Sequence, residues 1–182
     1  MIQHTMKKLM AAIIPTGLVL ALSIATPAAT DFKAAARVPR VIAGSQDPNV
    51  YTIKEAGLQF EIPKGWKAEA VDNVVLSVED GALTVTFVVE DQYKDVVTGI
   101  KDGLKERLTK MKSDGAPKED VHNGMVHIAE SGTGSLKDTP IIWSIDVLKA
   151  HKTVTILTFG IQKVMEAHGD DYAKFVGSIR TL

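Results

Sequence analysis

The segment "IIWSIDVLK" (residues 141–149) decides the fold, because both of its faces are apolar. In an extended chain, alternate side chains point to opposite faces. One face then carries Ile141, Trp143, Ile145 and Val147, and the other carries Ile142 and Leu148. A strand of this kind lies in the middle of a sheet that is covered on both sides. The segment "HKTVTILTFGI" (151–161) repeats the pattern after a tight connection at residues 150–152. We therefore expect two adjacent central strands.

Shorter strands precede this pair. The segment "VYTIKEAGLQFEIP" (50–63) predicts a hairpin with Gly57 in its turn. The segment "VVLSVEDGALTVTFVVED" (74–91) predicts a second hairpin around Glu79-Asp80-Gly81. A further strand, "MVHIAES" (125–131), leads into a predicted loop, "GTGSLKDTP" (132–140).

Two segments have helical spacing of their apolar residues. The first, "YKDVVTGIKDGLKERLTKMK" (93–112), predicts an amphipathic helix of about five turns. The second, "DDYAKFVGSIRTL" (170–182), begins with two aspartates, which favour a helix start. The predicted fold class is α+β: a central antiparallel sheet of about six to seven strands flanked by helices in α/β/α layers.

The turn in "LQFEIPKGW" (58–66) ends a strand abruptly. Pro63 has no N–H for the ladder, and Gly65 gives the backbone freedom to turn. We expect Trp66 to fold back over the open end of the core, with its indole N–H reaching a partner at the rim. The alternative is that Trp66 forms a platform for a ligand.

The N-terminal residues predict export. Residues 1–29 have two lysines, a long apolar run and small residues at Ala28 and Ala29, the order of a secretory signal peptide, with Met6 as a possible start. An uncleaved inner-membrane anchor is the alternative. Residues 30–50 read as a flexible arm, and residues 51–182 as one domain.

Composition excludes several classes of function. The net charge of −1 gives no whole-molecule attraction to nucleic acid. The 182 residues include no cysteine, which excludes thiol catalysis, thiolate metal sites and disulfides. An exported protein without disulfides suits the bacterial periplasm.

Three segments together resemble one known family: "GLQFEIPKGWK" (57–67), "GTGSLKDTPIIWSIDVL" (132–148) and "DDYAKFVGSIRTL" (170–182). Over residues 51–182 the chain resembles the PsbP-like superfamily, which includes the bacterial DcrB-like proteins. The resemblance implies an antiparallel sheet flanked by helices and a non-enzymatic role. Members bind other proteins, assist assembly or serve in the cell envelope, and no common set of functional residues can be carried over.

The remaining candidate residues give no catalytic motif. Asp146 lies in the apolar strand, where a carboxylate must be paired or face a cleft, and we expect an ion pair with a lysine or with Arg180. His122 and His127 are predicted to be exposed or hydrogen-bonded residues of a strand face, and their spacing is not that of a zinc motif. No catalytic residue, metal or cofactor is predicted.

Three functions remain open. The first is an exported, non-enzymatic binding or accessory protein of the envelope, acting through a sheet edge or a helix face on a protein partner. The second is a periplasmic carrier of a lipid or small apolar ligand, held near Trp66 and Trp143 with Asp146 as a further candidate. The third is an enzyme, which would need a cluster of His, Asp and Glu in a cleft.

Overall fold

The computed structural model describes residues 49–70 and 73–182. The predicted signal peptide, and the predicted arm up to residue 48, lie outside the described residues. The strands are β1 (Val50–Ile53), β2 (Leu58–Glu61), β3 (Lys67–Ala70), β4 (Val74–Val78), β5 (Leu83–Val89), β6 (Thr109–Ser113), β7 (Lys118–His122), β8 (Met125–Leu136), β9 (Thr139–Lys149), β10 (Thr153–Ile161) and β11 (Arg180–Thr181). The helices are α1 (Tyr93–Arg107), α2 (Gln162–Ala167) and α3 (Gly169–Ser178).

The main sheet has eight strands in the order β3-β4-β5-β10-β9-β8-β6, with β7 paired to β8 beyond the part that β6 occupies. Neighbouring strands are antiparallel at every pairing. The predicted α+β class is therefore confirmed. The first hairpin does not join the main sheet, because β1 and β2 form a separate three-stranded sheet with β11.

Both faces of the main sheet are covered, as the apolar pattern of β9 and β10 predicts. One buried cluster contains Ile141, Trp143 and Ile145 together with Ile100 and Leu104 of α1. The other cluster contains residues of α3, of the small sheet and of the opposite face of β9 and β10: Phe175, Phe60, Leu148, Val154 and Ile156. The eight-stranded sheet thus separates two hydrophobic cores.

Three phenylalanines join the layers of the second of these cores. The rings of Phe60 and Phe87 are stacked, with centroids 4.6 Å apart and planes 4° from parallel. The ring of Phe175 meets both edge-on, at 5.5 Å from Phe60 and 6.0 Å from Phe87. Offset-stacked and edge-on contacts are the favoured aromatic geometries. They connect the small sheet, the main sheet and α3.

Trp66 lies where the turn before it predicts. Strand β2 ends at Glu61, Gly65 has a φ of 85°, and Trp66 follows with only 7% of its surface exposed. The prediction that the indole N–H reaches a partner at the rim is wrong, because Trp66 Nε1–H is buried and donates to no acceptor among the described residues. The free energy gained by burying the ring therefore exceeds the cost of leaving this N–H group without an acceptor.

The first predicted helix is too long. Helix α1 ends at Arg107, and Leu108 has extended dihedral angles of −95° and 131°. Residues 109–112, which the predicted helix includes, belong instead to strand β6, which pairs with β8. Tertiary pairing with a long strand has overridden the local helical pattern.

The predicted loop at residues 132–140 is also wrong. Strand β8 continues to Leu136, and β9 begins at Thr139. The connection is only Lys137 and Asp138, both with positive φ (47° and 66°), which is the conformation of a tight two-residue hairpin turn. Small residues here are strand residues that face bulky neighbours and are not loop residues.

One ion pair fixes α1 to the sheet. Lys101 Nζ of α1 lies 2.9 Å from both carboxylate oxygens of Glu130 on β8. Glu130 is 9% exposed, and Ser113 Oγ also donates to it at 3.2 Å. The buried carboxylate therefore has the partners that its burial requires.

In the described residues no helix has the length and hydrophobicity of a membrane span.

Replacement of Gly132 and of Gly177 by alanine should have opposite effects on the free energy of unfolding. A Cβ at Gly132 would overlap the Lys112 carbonyl and the Trp143 ring, whereas a Cβ at Gly177, inside α3, would meet nothing. We expect Gly132→Ala to lower the free energy of unfolding by about 1–3 kcal/mol through overpacking. We expect Gly177→Ala to leave it unchanged or raise it by up to about 1 kcal/mol. Urea denaturation measures both, and equal effects would contradict the close packing at Gly132.

Candidate functional site

Asp146 has a histidine partner and not the predicted lysine or arginine. Its Oδ1 accepts from His127 Nε2 at 2.9 Å, and its Oδ2 accepts from Ser144 Oγ at 2.9 Å. Arg180 lies elsewhere, 3.9 Å from Glu61. The expectation that this carboxylate must be paired is confirmed, but the expected partner was wrong. Asp146 and Ser144 lie on the face of β9 that α3 covers.

His127 connects three strands through the two nitrogens of its ring. Nδ1 lies 2.8 Å from Asp120 of β7, and Nε2 lies 2.9 Å from Asp146 of β9. Asp120 is directly opposite His127 in the hairpin, and Asp146 is opposite Ala129, two residues along β8. The register of these pairings therefore brings both carboxylates to one imidazole. The prediction of a hydrogen-bonded histidine on a strand face is confirmed.

The charge of this histidine follows from its contacts. The hydrogen bond to Asp146 raises the pKa of His127 above its usual 6.5, and the bond to Asp120 and the charges of both carboxylates raise it further. Partial burial opposes the shift. Both ring nitrogens must carry a proton to donate to two carboxylates at once. The geometry therefore belongs to the imidazolium form.

A second polar pair lies beside this group. Tyr172 of α3 has its hydroxyl 2.9 Å from Thr158 Oγ1 of β10. Burial raises the pKa of the Tyr172 hydroxyl, and the negative charge of Asp146 raises it further. Tyr172 therefore stays neutral next to the charged pair. A polar row runs from the surface at Asp120 through His127, Asp146 and Ser144 towards Tyr172.

A small cavity adjoins this row, between the β7–β8 hairpin, α3 and the sheet. Its rim has the polar side chains of His122, His127 and Asp146, and its floor is mostly apolar: Leu148, Ile156, Tyr172, Phe175, Val176 and Ile179. The space open to the centre of a water-sized sphere is about 20 Å³. That volume holds about one water molecule, and it is far below that of a lipid chain.

The tip of the β7–β8 hairpin is attached to the end of α3. Asn123 occupies a left-handed turn position with a φ of 47°. Its side-chain amide donates to the Ile179 carbonyl at 2.7 Å and to the Gly177 carbonyl at 3.2 Å. Carbonyls at the end of a helix have no partner inside the helix, so this amide caps them. Strand β7 is absent from the predicted elements, although Asn-Gly between two strands is a strong hairpin signal.

The two candidate tryptophans are not brought together. Trp66 lies in the core that α3 covers, and Trp143 lies in the core that α1 covers, on the opposite face of the main sheet. Trp143 Nε1 donates to the Thr133 carbonyl at 3.4 Å. Neither ring lines the cavity beside Asp146. The described residues therefore do not form the predicted apolar pocket near both tryptophans.

The polar group does not have the arrangement of a nucleophile and base. Each nitrogen of His127 faces a carboxylate, so no lone pair of the imidazole is directed at a hydroxyl. Ser144 donates to Asp146 and not to the histidine. In residues 49–70 and 73–182, no group of three or more His, Asp or Glu side chains is arranged to hold a metal ion. What this group can do is bind and release a proton.

Removal of Asp146's charge tests the electrostatics of His127. Asp146→Asn replaces the carboxylate that contributes most to the raised pKa. We expect the pKa of His127 to fall towards 6.5 in the variant, measured by proton NMR titration of the ring Cε1–H. His168, whose ring pairs with Glu79, provides the internal control. An unchanged His127 titration would contradict the contact with Asp146.

Asn123 allows a matched test of the cap on α3. Asn123→Gly keeps a residue suited to the left-handed turn but removes both amide bonds, so we expect a loss of about 1–2 kcal/mol in the free energy of unfolding. Asn123→Asp also tolerates the turn, but it directs a carboxylate at two carbonyl oxygens and should cost more. Thermal and urea denaturation measure both variants. A smaller loss for the aspartate would contradict the donor role of the amide.

Comparison with known proteins identifies the fold. No protein-family model matches the chain, and no curated protein matches it. Among solved structures, the solution structure of cyanobacterial PsbP (CyanoP) from Synechocystis is similar, with 12% identity and a TM-score of 0.56, over 80% of this chain and 100% of that chain.

Two further structures are similar at lower scores. LpqN, involved in cell envelope biogenesis of Mycobacterium tuberculosis, has 10% identity and a TM-score of 0.43, over 75% of this chain and 87% of its own. PA94 of Pseudomonas aeruginosa, a protein of unknown function and putative regulator, has 9% identity and a TM-score of 0.41, over 70% of this chain and 92% of its own. The similarity to cyanobacterial PsbP shows the fold: this chain has a PsbP-like fold, as three segments of its sequence had indicated.

Proposed function

We propose that this is an accessory protein of the bacterial cell envelope that acts by binding another protein, and not by catalysis, through the open edge of β7. The observation that carries the proposal is the exposure of this strand. Among the described residues β7 pairs with β8 alone, and Val121, close to the hairpin turn, is 72% exposed. A valine on the outer edge of a sheet is an anchor for an added strand.

The backbone of β7 is oriented for such pairing. Asn123 and Gly124 form a two-residue turn, so the flanking pair of His122 and Met125 exchanges both hydrogen bonds across the hairpin. Hydrogen-bonded and non-hydrogen-bonded pairs then alternate along an antiparallel ladder. Glu119 and Val121 therefore direct their N–H and C=O groups away from β8. An extended segment of a partner can accept and donate at both residues.

The side chains of β7 make this edge selective. Lys118, Glu119 and Asp120 are exposed and of mixed charge. Charges on an edge strand prevent indiscriminate pairing between sheets. A partner strand must present charges complementary to those of residues 118–120 and an apolar contact for Val121, which gives specificity in addition to main-chain hydrogen bonds.

Three further observations support binding and envelope location. The signal-like residues 1–29 favour export. His127 has no ring nitrogen available to act as a base. The resemblance to the PsbP-like superfamily, whose members bind other proteins, favours the same kind of role. A carrier of a lipid is less well supported, because the cavity beside Asp146 holds only about one water molecule.

Site-specific cross-linking in the envelope tests the proposal. A photoreactive amino acid at Glu119, which is exposed on β7, should give a discrete cross-linked product. The same amino acid at Lys174, exposed on α3, is the control and should not give that product. Mass spectrometry of the product then identifies the partner.

A proline on the edge strand provides the second arm. Val121→Pro removes an outward N–H without removing a bond to β8, so we expect the Glu119 product to disappear while the melting temperature changes little. Val121→Ala keeps the N–H and should retain most of the product. Equal cross-linking from Glu119 and Lys174, or a product that survives Val121→Pro, would exclude the β7 edge. A bound lipid in native mass spectrometry of the purified protein would favour the carrier.

A further inference from the structure

We propose that His127 is a proton-dependent latch that ties β7 to the rest of the sheet and holds the β7–β8 hairpin over the apolar cavity beside α3. The latch consists of Asp120, His127 and Asp146, which come from β7, β8 and β9. It goes beyond the proposed binding role, because it concerns how the hairpin is held and not what the hairpin binds.

The hairpin has few other attachments on the side of β7. Strand β7 is bonded to β8 through the ladder, and the hairpin tip is bonded to α3 through Asn123. Apart from His122, every side chain of β7 is exposed, so packing adds little to hold the strand. The contact of Asp120 with His127 is therefore the side-chain tie that joins β7 to β9 through one ring.

Exposure determines which contact is lost when His127 releases a proton. A neutral imidazole has one N–H and one lone pair, so it can donate to one carboxylate only. The Asp146 side chain is 22% exposed and that of Asp120 is 67% exposed. Loss of a donor costs more at the more buried carboxylate, because water cannot replace it as easily. The remaining proton therefore stays on Nε2 against Asp146, and Asp120 is released into water.

The charged and titratable groups around the ring set the direction of the switch. Asp120 and Asp146 favour the imidazolium, and Tyr172 on α3 remains neutral beside them. The His122 ring centroid is 5.9 Å from that of His127, so a positive charge on His122 would oppose the latch in acid. These groups face the ring from β7, β9 and α3.

The sign of the pH dependence follows from the raised pKa. A histidine whose pKa is higher in the folded protein contributes stability that is fully present below its unfolded value of 6.5. That contribution is lost as the pH rises through the folded pKa. The latch is therefore closed in mild acid and opens on the alkaline side, where β7 separates more often from β8.

Amide hydrogen exchange, corrected for the intrinsic rate at each pH, tests the latch on the intact protein. The Asp120 and His122 amides, which bond inward to β8, should lose protection about two- to fivefold between about pH 6 and pH 9, the range of an ion pair with one exposed partner. The Ile156 amide, in the middle of the main sheet, should show no comparable loss. A flat profile for the β7 amides in the unaltered protein would overturn the proposal.

Two variants locate the effect at His127. His127→Gln should give low protection of β7 that does not depend on pH. Asp120→Asn, at an exposed position that should not disturb folding, should reduce the protection in mild acid to the alkaline level. His168→Gln is the matched control, because His168 is also paired with a carboxylate, that of Glu79, but takes no part in the latch. A pH dependence that survives in Asp120→Asn, or that disappears in His168→Gln, would contradict a latch at His127.

Discussion

The central strands β9 and β10 are apolar on both faces, and the layers of the protein follow from that constraint. Each strand must be covered twice, since neither face can remain in contact with water without a large cost in hydrophobic free energy. Helix α1 covers the face that carries Trp143, and α3 with the small sheet covers the face that carries Leu148. The requirement for two covers also explains why the chain leaves the sheet twice, once in its middle and once near its end.

The sequence predicts most of these layers because period and burial are local signals. Residues 141–149 indicate the two-sided strand, and Gly57 and Gly81 mark hairpin turns that the structure contains. Strands β6 and β7 were missed because they are short and almost wholly exposed, so no apolar alternation marks them. They form because β8 is long enough to pair with both of them. The length of β8 depends on a tight turn at residues 137–138, which was not predicted because the small residues before it are typical of a loop.

The polar group at His127 is a product of register. Asp120, His127 and Asp146 lie on three strands, and their contact depends on which residues of β7, β8 and β9 are opposite one another. A shift of one residue in either pairing would direct the carboxylates to the other face of the sheet. Periodicity can predict that Asp146 needs a partner, but it carries no information on register. The separation of Trp66 from Trp143 could not be predicted for the same reason. Local sequence indicates that each ring is buried, but which of the two cores it enters depends on contacts with distant segments.

The pairing of β11 with β2 has a consequence for how the chain folds. Thr181 pairs with Leu58, so the small sheet joins segments from opposite ends of the described residues. Contacts between distant segments form late, because the entropy of closing so long a loop is lost before the contact can compensate it. During synthesis the edge of β2 therefore stays open until β11 has been made and can pair with it. In that interval the chain is most prone to aggregation, and the unpaired edge of β2 is the place where a chaperone could bind.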